Sequence, residues 1–377
     1  MSVVPTMRRW RAFELAALTL LVLTPLGGGQ GQRGPGVAGA NEAQTPEQEF
    51  RIDPLRGPVD LGLADPALVG AIDIHSHLDP DAPGSGGVVR AIDAFDAAVI
   101  AKQRGMRGFV FKTHQDPASA GMAYMVRKHA TPGLEVFGRM ALNLSTGGIN
   151  IAALEHFTQI KGGWGRIVEM PTRDSEWSTR DERPETLPQR RPWILLLPPT
   201  APKHVSVSRN GELLPEVKYF LEVMAKLRTV DSNGRLALAT GHASPEEHLM
   251  LAREGRRLGL QVVLTHPGDI PQLADAAKIG AYIEMTVSRV VRNEAEARSA
   301  AGLIRKIGAG SIILSSDCGQ MSNPFPSDCI ALAAKALRAH GVTDRELDLM
   351  LKENPAKLLG LPPLLSAAAG TTPAAIR

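Results

Sequence analysis

The sequence predicts an α/β protein built as a (β/α)8 TIM barrel with a long loop insertion after strand 4. Three observations carry this. Eight short aliphatic or β-branched runs recur from about residue 70, longer helical stretches separate them, and no Gly-rich phosphate loop of the kind an open doubly wound sheet needs follows an early strand.

The eight runs are Gly70–Ile74, Gly108–Lys112, Leu134–Leu142, Arg166–Met170, Leu236–Thr240, Gln261–Thr265, Gly280–Met285 and Ser311–Ser315. They are continuously apolar rather than alternating, as expected of strands buried on both faces of a parallel sheet. Between them the helices carry readable punctuation. Ser244-Pro245-Glu246-Glu247 is a capping box with proline at the first helical position, opening a helix that runs to about Leu258 before Gly259. Thr343-Asp344-Arg345-Glu346 is a second such box. The barrel is expected over residues 70–363, with a polar lead-in at 41–69 and a tail at 364–377. Residues 173–215, after the fourth run, hold seven prolines and many charges, which reads as a long loop or lid at the barrel mouth.

Composition sets the class. The chain is 44% hydrophobic and 21% charged, with aromatics at 4%, so aliphatic side chains must fill the core. Residues 1–40 hold four arginines against Glu14, a net of +3, which is the whole formal charge of the chain. The remainder is neutral overall, which argues against a nucleic-acid partner. Arg8, Arg9 and Arg11 precede the apolar stretch Ala12–Leu26, and Ala38-Gly39-Ala40 offers a small-x-small cleavage site. This predicts an export segment over residues 1–40, by the general or the twin-arginine route, and a periplasmic or secreted protein; an uncleaved anchor is the alternative. No stable membrane span is expected in the mature form. Cys318 and Cys329, the only cysteines, are able to pair but nothing in the sequence requires it, and without Cys-x-x-Cys a zinc ribbon is excluded.

In such a barrel the C-terminal ends of the strands converge on one mouth, where chemistry is done. Polar residues at the eight run ends are His75 and His77, Lys112 and His114, Asn143, Glu169 with Thr172, His242, His266, Glu284, and Asp317. Five of the ten histidines fall there, while His129, His156, His204, His248 and His340 fall in helices or loops. Residues i and i+2 of a strand share a face, so the His75-x-His77 pair can aim both imidazoles at one ion; by the same parity Asp73 would face that side and orient a ligand histidine. Nitrogen and carboxylate donors together suit zinc, or manganese or iron, as one or two divalent ions.

These residues resemble the amidohydrolase superfamily of metal-dependent barrels. Its pattern of His-x-His on strand one, Lys or Glu on strand four, histidines on strands five and six, and Asp on strand eight is matched by His75, His77, Glu169, His242, His266 and Asp317. Asn354-Pro355-Ala356-Lys357-Leu358-Leu359-Gly360 is similar to its C-terminal segment, and Ala-Thr-Gly-His-Ala-Ser-Pro-Glu-Glu and Ser-Ser-Asp-Cys-Gly-Gln look closest to a branch of unknown function. The resemblance implies His75, His77, Glu169, His242, His266 and Asp317 as metal ligands, and a water-activating hydrolase acting on an amide, lactone or ester of a small molecule, with Asp317 as general base. One departure stands out: the conspicuous lysine is Lys112, on strand two. It is open to bridging metals, to binding a substrate carboxylate or phosphate, or to an ion pair with Glu169 or Glu284. His114 is a ligand or a transition-state donor, and Glu284 a residue that backs a ligand. A decarboxylase or other lyase, or a non-catalytic metal-binding protein, would use the same set, and a homo-oligomer is left open.

Overall fold

All eight runs form strands, and the strands pair in parallel in the order of the chain. A computed structural model describes residues 58–81, 90–114, 118–183 and 192–363. The barrel strands are β1 (Ile72–His77), β2 (Gly108–Lys112), β3 (Glu135–Ala141), β4 (Gly165–Glu169), β5 (Ala237–Ala239), β6 (Gln261–Leu264), β7 (Tyr282–Thr286) and β8 (Ile312–Ser315). Just beyond β8 the chain meets β1 again: Asp317 N donates to His75 O at 2.9 Å and His77 N to Cys318 O at 2.9 Å, which joins the two edges.

Helices follow the strands one for one: α1 (Ala94–Gln103), α2 (Ser119–Met125), α3 (Ile151–Gln159), α4 (Pro215–Lys226), α5 (Pro245–Arg257), α6 (Leu273–Lys278), α7 (Glu294–Ile307) and α8 (Pro326–Ala339). Both predicted capping boxes form. Ser244 Oγ accepts from Glu247 N while Glu247 Oε2 accepts from Ser244 N, and Thr343 and Glu346 repeat the exchange. The larger apolar cluster lies between the strands and these helices. A smaller one fills the barrel itself: Ile72, Ile74, Val110, Phe137, Ile167, Ala237, Ala239, Val263 and Ile313. Phe137 is the one fully buried aromatic ring in it, with Trp164 and Tyr282 packed against it in part. Ala356, Leu358 and Leu359 join the same cluster, and Asn354 Nδ2 holds their segment by donating to Ala309 O and Ile312 O, each at 2.8 Å.

The first strand departs from the expected boundary and parity. It runs through His75 and His77 instead of ending before them. Between Asp73 and Ser76 its register against β2 shifts by one residue, a bulge. A bulge reverses the alternation beyond it, so Ile72 and Ile74 point into the barrel below it and His75 and His77 point into the mouth above it. Asp73 therefore does not share the face of His75. It lies behind the strand, where it accepts from Ser76 Oγ, His75 N and Ser316 N.

Of the insertion after β4, the described residues form a short helix (Glu176–Thr179), a 3-10 turn (Pro192–Leu196) and a two-residue hairpin (Ser208–Arg209 with Glu212–Leu213). The export segment and the C-terminal tail lie outside the described residues. No helix among the described residues is long and apolar enough to cross a membrane.

Candidate active site

Three layers stack along the barrel interior. Above the apolar cluster, the next inward positions are polar: His75, Lys112, Arg139, Glu169, Thr265, Glu284 and Ser315. Above these, His77, His114, His242, His266 and Asp317 surround the mouth. The five histidines close a ring, each beside the next, with centroid distances of 4.9 Å (75–77), 4.9 Å (77–114), 6.0 Å (114–242), 5.1 Å (242–266) and 5.6 Å (266–75). Residues scattered over 190 positions thus meet at one rim.

At one side of this ring, donor atoms of His75, His77 and Asp317 lie within 4.8 Å of one another, a group that can hold a divalent metal. The two Nε2 atoms are 3.1 Å apart, and Asp317 Oδ1 is 3.3 Å from His75 Nε2 and 3.1 Å from His77 Nε2. Ligands ~2.0–2.1 Å from a zinc-like ion in a tetrahedron are about 3.3 Å from each other, so the three atoms are spaced as edges of one coordination shell. His75 Nδ1 donates to Glu284 Oε1 at 2.9 Å, which leaves the Nε2 lone pair on the side of the group, where Lys112 Nζ also reaches it at 2.8 Å. Ser315 Oγ donates to the same Glu284 oxygen at 3.0 Å.

The layer beneath is an ion network centred on Arg139, a residue the reading of strand ends missed. Arg139 is fully buried. Its guanidinium grips Glu169 with two hydrogen bonds, Nε to Oε2 at 3.0 Å and Nη2 to Oε1 at 2.6 Å, and reaches Glu284 Oε1 at 3.4 Å. Lys112 Nζ lies 3.3 Å from Glu169 Oε1 and 2.8 Å from His75 Nε2. Burial pushes the Glu169 carboxyl up, but Arg139 and Lys112 overcome it and hold the group at about 2. Glu169 thus has both oxygens engaged by cations and stands outside the group of three donors. Burial lowers the Lys112 ammonium, partly offset by Glu169.

Across the mouth, Asn143 organises His114. Its Oδ1 accepts from Thr172 N and Asp174 N, so its Nδ2 donates to His114 O at 2.6 Å and Thr172 Oγ1 at 2.8 Å. Thr172 Oγ1 also lies 3.0 Å from His114 Nδ1; where it donates its proton there, the ring hydrogen sits on Nε2 as a donor. His242 is held from the insertion: Ser175 Oγ donates to its carbonyl at 2.7 Å and Ser178 Oγ lies 3.2 Å from its Nδ1. The glycine before it is required, because Gly241 has φ +67° and a Cβ there would stand 2.3 Å from Met170 O. Two site residues themselves hold left-handed backbones, His266 at φ 25° and Asp317 at φ 49°. Such strain costs of order 1–3 kcal/mol each and persists where the surrounding structure enforces it. The Asp317 turn is enforced on both sides. Gly319 passes so close to His77 that a Cβ would meet its carbonyl oxygen at 1.6 Å, and Cys318 is disulfide-bonded to Cys329 of α8.

Burial disfavours the charged form of His75, His77, His114 and His242. It lowers His75, His114 and His242 well below the usual imidazole value, with Lys112 adding to the effect for His75 and His114 and His266 for His242. His77 is brought down to about 4, and outside the ring His248, hydrogen-bonded to Thr240, to about 3. Burial pushes the Asp317 carboxyl up, but His75 and His77 hold it well below the ordinary carboxylate range. Between about pH 6.5 and 4 the unfolded chain binds protons that these folded histidines refuse, so stability present above pH 6.5 is lost as pH falls through that window. His77 alone contributes on the order of 3 kcal/mol, from 6.5 to about 4. With a chelator present, the urea midpoint is expected to fall steeply from pH 7 to pH 4; a flat midpoint would show that these rings are not buried.

Residues 70–288 match the family of unknown function DUF6282. The chain belongs to this family. The DUF6282 match spans β1 to β7, and so every site residue from His75 to Glu284, and ends before β8 and Asp317. No curated protein matches the sequence. Among solved structures, the chain is similar to a putative 2-pyrone-4,6-dicarboxylic acid hydrolase from Pseudomonas putida (16% identity, 78% of this chain and 98% of that one, TM-score 0.48). It is also similar to an amidohydrolase from Burkholderia multivorans with bound zinc (11% identity, 78% and 99%, TM-score 0.48) and to a metallopeptidase, dipeptidase AC (15% identity, 78% and 98%, TM-score 0.48).

Proposed function

We propose that this protein is a metal-dependent hydrolase of the amidohydrolase type, cleaving an amide, lactone or ester bond of a small molecule. The observation that carries the reading is the group of His75 Nε2, His77 Nε2 and Asp317 Oδ1, spaced as a coordination shell inside a ring of histidines at the C-terminal mouth. His242 and His266 stand beside each other in the same ring, outside the group of three donors, and would approach the cation from the mouth. A divalent cation bound there, zinc or else manganese or iron, supplies Lewis acidity, polarising a carbonyl oxygen and lowering the pKa of a water from 15.7 toward ~7.

The chain's own residues do the rest. Asp317 has a side chain 26% exposed, whereas those of His75 and His77 are buried, so it is the acceptor that faces an incoming substrate. It takes the proton of the attacking water on its carboxylate and returns it to the leaving group. His114 Nε2–H donates to the substrate oxygen on which charge develops. Lys112 and Arg139 neutralise Glu169 beneath the site, and Glu284 fixes the tautomer and direction of His75. The paired cysteines support an oxidising compartment, in keeping with an exported protein.

The test is a screen of esters, lactones and amides in 18O-labelled water with the metal-loaded protein. The expected result is one labelled oxygen in the acid product, lost with a chelator and restored by zinc or manganese. Carbon dioxide release without label would make the enzyme a lyase and overturn the reading, as would full activity without metal.

A further inference from the structure

A cavity of about 450 Å³ lies between the ends of β6 to β8 and helix α7, and Asp317 and His266 are part of its wall. The volume falls in the ~300–1,000 Å³ range of small-molecule sites. Ile283, Met285 and Leu303 make its apolar side. Of its charged groups, most are already matched. Asp317 faces the two histidines, Glu284 Oε1 is shared by His75, Arg139 and Ser315, and Lys306 is paired with Asp269 at 2.8 Å. Arg289 and Glu296 differ. Both line the cavity, and neither the Arg289 guanidinium nor the Glu296 carboxylate has a hydrogen-bond or ion-pair partner among the described residues.

Arg289 is exposed, but the backbone that carries it is fixed. It sits on the one-turn helix Val287–Val290 that directly follows β7, with Val287 and Val290 buried on either side. Ser288 N donates to Ser316 O at 3.1 Å, so one backbone bond ties the residue before Arg289 to the residue before Asp317. A buried unmet atom lies in the same wall: Glu284 is buried, and its Oε2 has no hydrogen-bond partner among the described residues.

We propose that this cavity is the substrate subsite, and that Arg289 binds a carboxylate on the substrate while its scissile bond lies at Asp317. The inference rests on the hydrolase reading and narrows it to carboxylic acids bearing a cleavable amide or ester. A planar guanidinium matches a carboxylate through two parallel N–H···O bonds. A single carboxylate fits better than phosphate, because Glu296 also lines the cavity and opposes a second negative charge. Glu284 Oε2 would accept from an N–H or O–H of the same ligand.

The test is binding, so that it does not depend on turnover. N-acetylalanine, its neutral amide N-acetylalaninamide and inorganic phosphate are titrated by NMR or calorimetry into the purified full-length chain and into Arg289→Met and Arg289→Lys. The expected result is that the acid binds tenfold or more tighter than the amide. Arg289→Met removes that preference without weakening the amide, and Arg289→Lys keeps part of it. Equal binding of acid and amide, no binding of either, or an Arg289→Met protein that still prefers the acid would overturn the proposal. Phosphate binding as tight as the acid would overturn the choice of carboxylate. An acid preference that depends on Arg289 upholds the subsite even if no compound is hydrolysed in labelled water, an outcome that would fell the hydrolase reading alone.

Discussion

Replacing Arg139 with Met is expected to destabilise the protein by ~3–5 kcal/mol, measured as the loss in denaturant unfolding free energy at pH 7. The size follows from what the substitution leaves behind. Methionine fills much of the arginine's volume, so packing changes little. The charge is another matter. Glu169 and Glu284, both buried, lose the guanidinium that donates to them at 3.0, 2.6 and 3.4 Å, and Ile74 O and Thr265 Oγ1 lose donors at 3.2 Å. Lys112 remains for Glu169 alone, at 3.3 Å. A buried carboxylate stripped of its partner is far costlier than the intact pair is stabilising, and a total stability of ~5–15 kcal/mol leaves little reserve. A pH arm separates this cause from a packing defect. Once unpaired, Glu169 has a folded pKa above its unfolded value, so the variant regains stability relative to the wild type as pH falls toward 4. Adding Glu169→Gln should recover part of the loss. A loss below about 1 kcal/mol at neutral pH would show that Arg139 is not the keystone of the polar layer.

How far the sequence could be read is visible in the same network. The eight strands were legible because parallel barrel strands are apolar on both faces, and composition alone marks them. The convergence of His75, His77, His114, His242, His266 and Asp317 is legible because they share one relative position at the ends of β1, β2, β5, β6 and β8. Arg139 was not found by inspecting strand ends, since it sits one layer deeper, two residues before the end of β3. A signal existed: an arginine inside Val136-Phe137-Gly138-Arg139-Met140-Ala141-Leu142 cannot be buried without carboxylate partners, and Glu169 and Glu284 lie at the same depth on β4 and β7. The sidedness of Asp73 was misread because period two holds only while the register does, and no residue in Ile72–His77 announces a bulge. The cysteine pairing was open in the sequence, because spacing alone does not say whether two thiols meet. Of the alternatives for Lys112, the fold shows the ion pair with Glu169 together with contact to His75, a combination that depends on the barrel's depth and not on any local motif.

Asp317→Asn is the variant expected to cost most in turnover, a fall of ~10²–10⁴ in kcat on whichever ester or lactone the screen identifies. Asparagine is the right probe for a conformational reason. Asp317 holds φ 49°, a region that most side chains avoid and that asparagine tolerates. The turn is moreover held by the Cys318–Cys329 disulfide and by the close passage of Gly319 over His77. The backbone should therefore stay where it is, and the amide oxygen can still complete the donor group with His75 and His77. What asparagine cannot do is accept a proton from water and hand it to a leaving group. Metal content is expected to persist largely and the melting temperature at neutral pH to move little, while turnover collapses. Asp317→Leu, by contrast, should lose metal and stability together, because a branched aliphatic chain fits neither the left-handed turn nor the donor group. If Asp317→Asn turns over at the wild-type rate with its metal in place, the proton has another acceptor. The water-activating role assigned to this carboxylate would then be wrong, whatever the three donors hold.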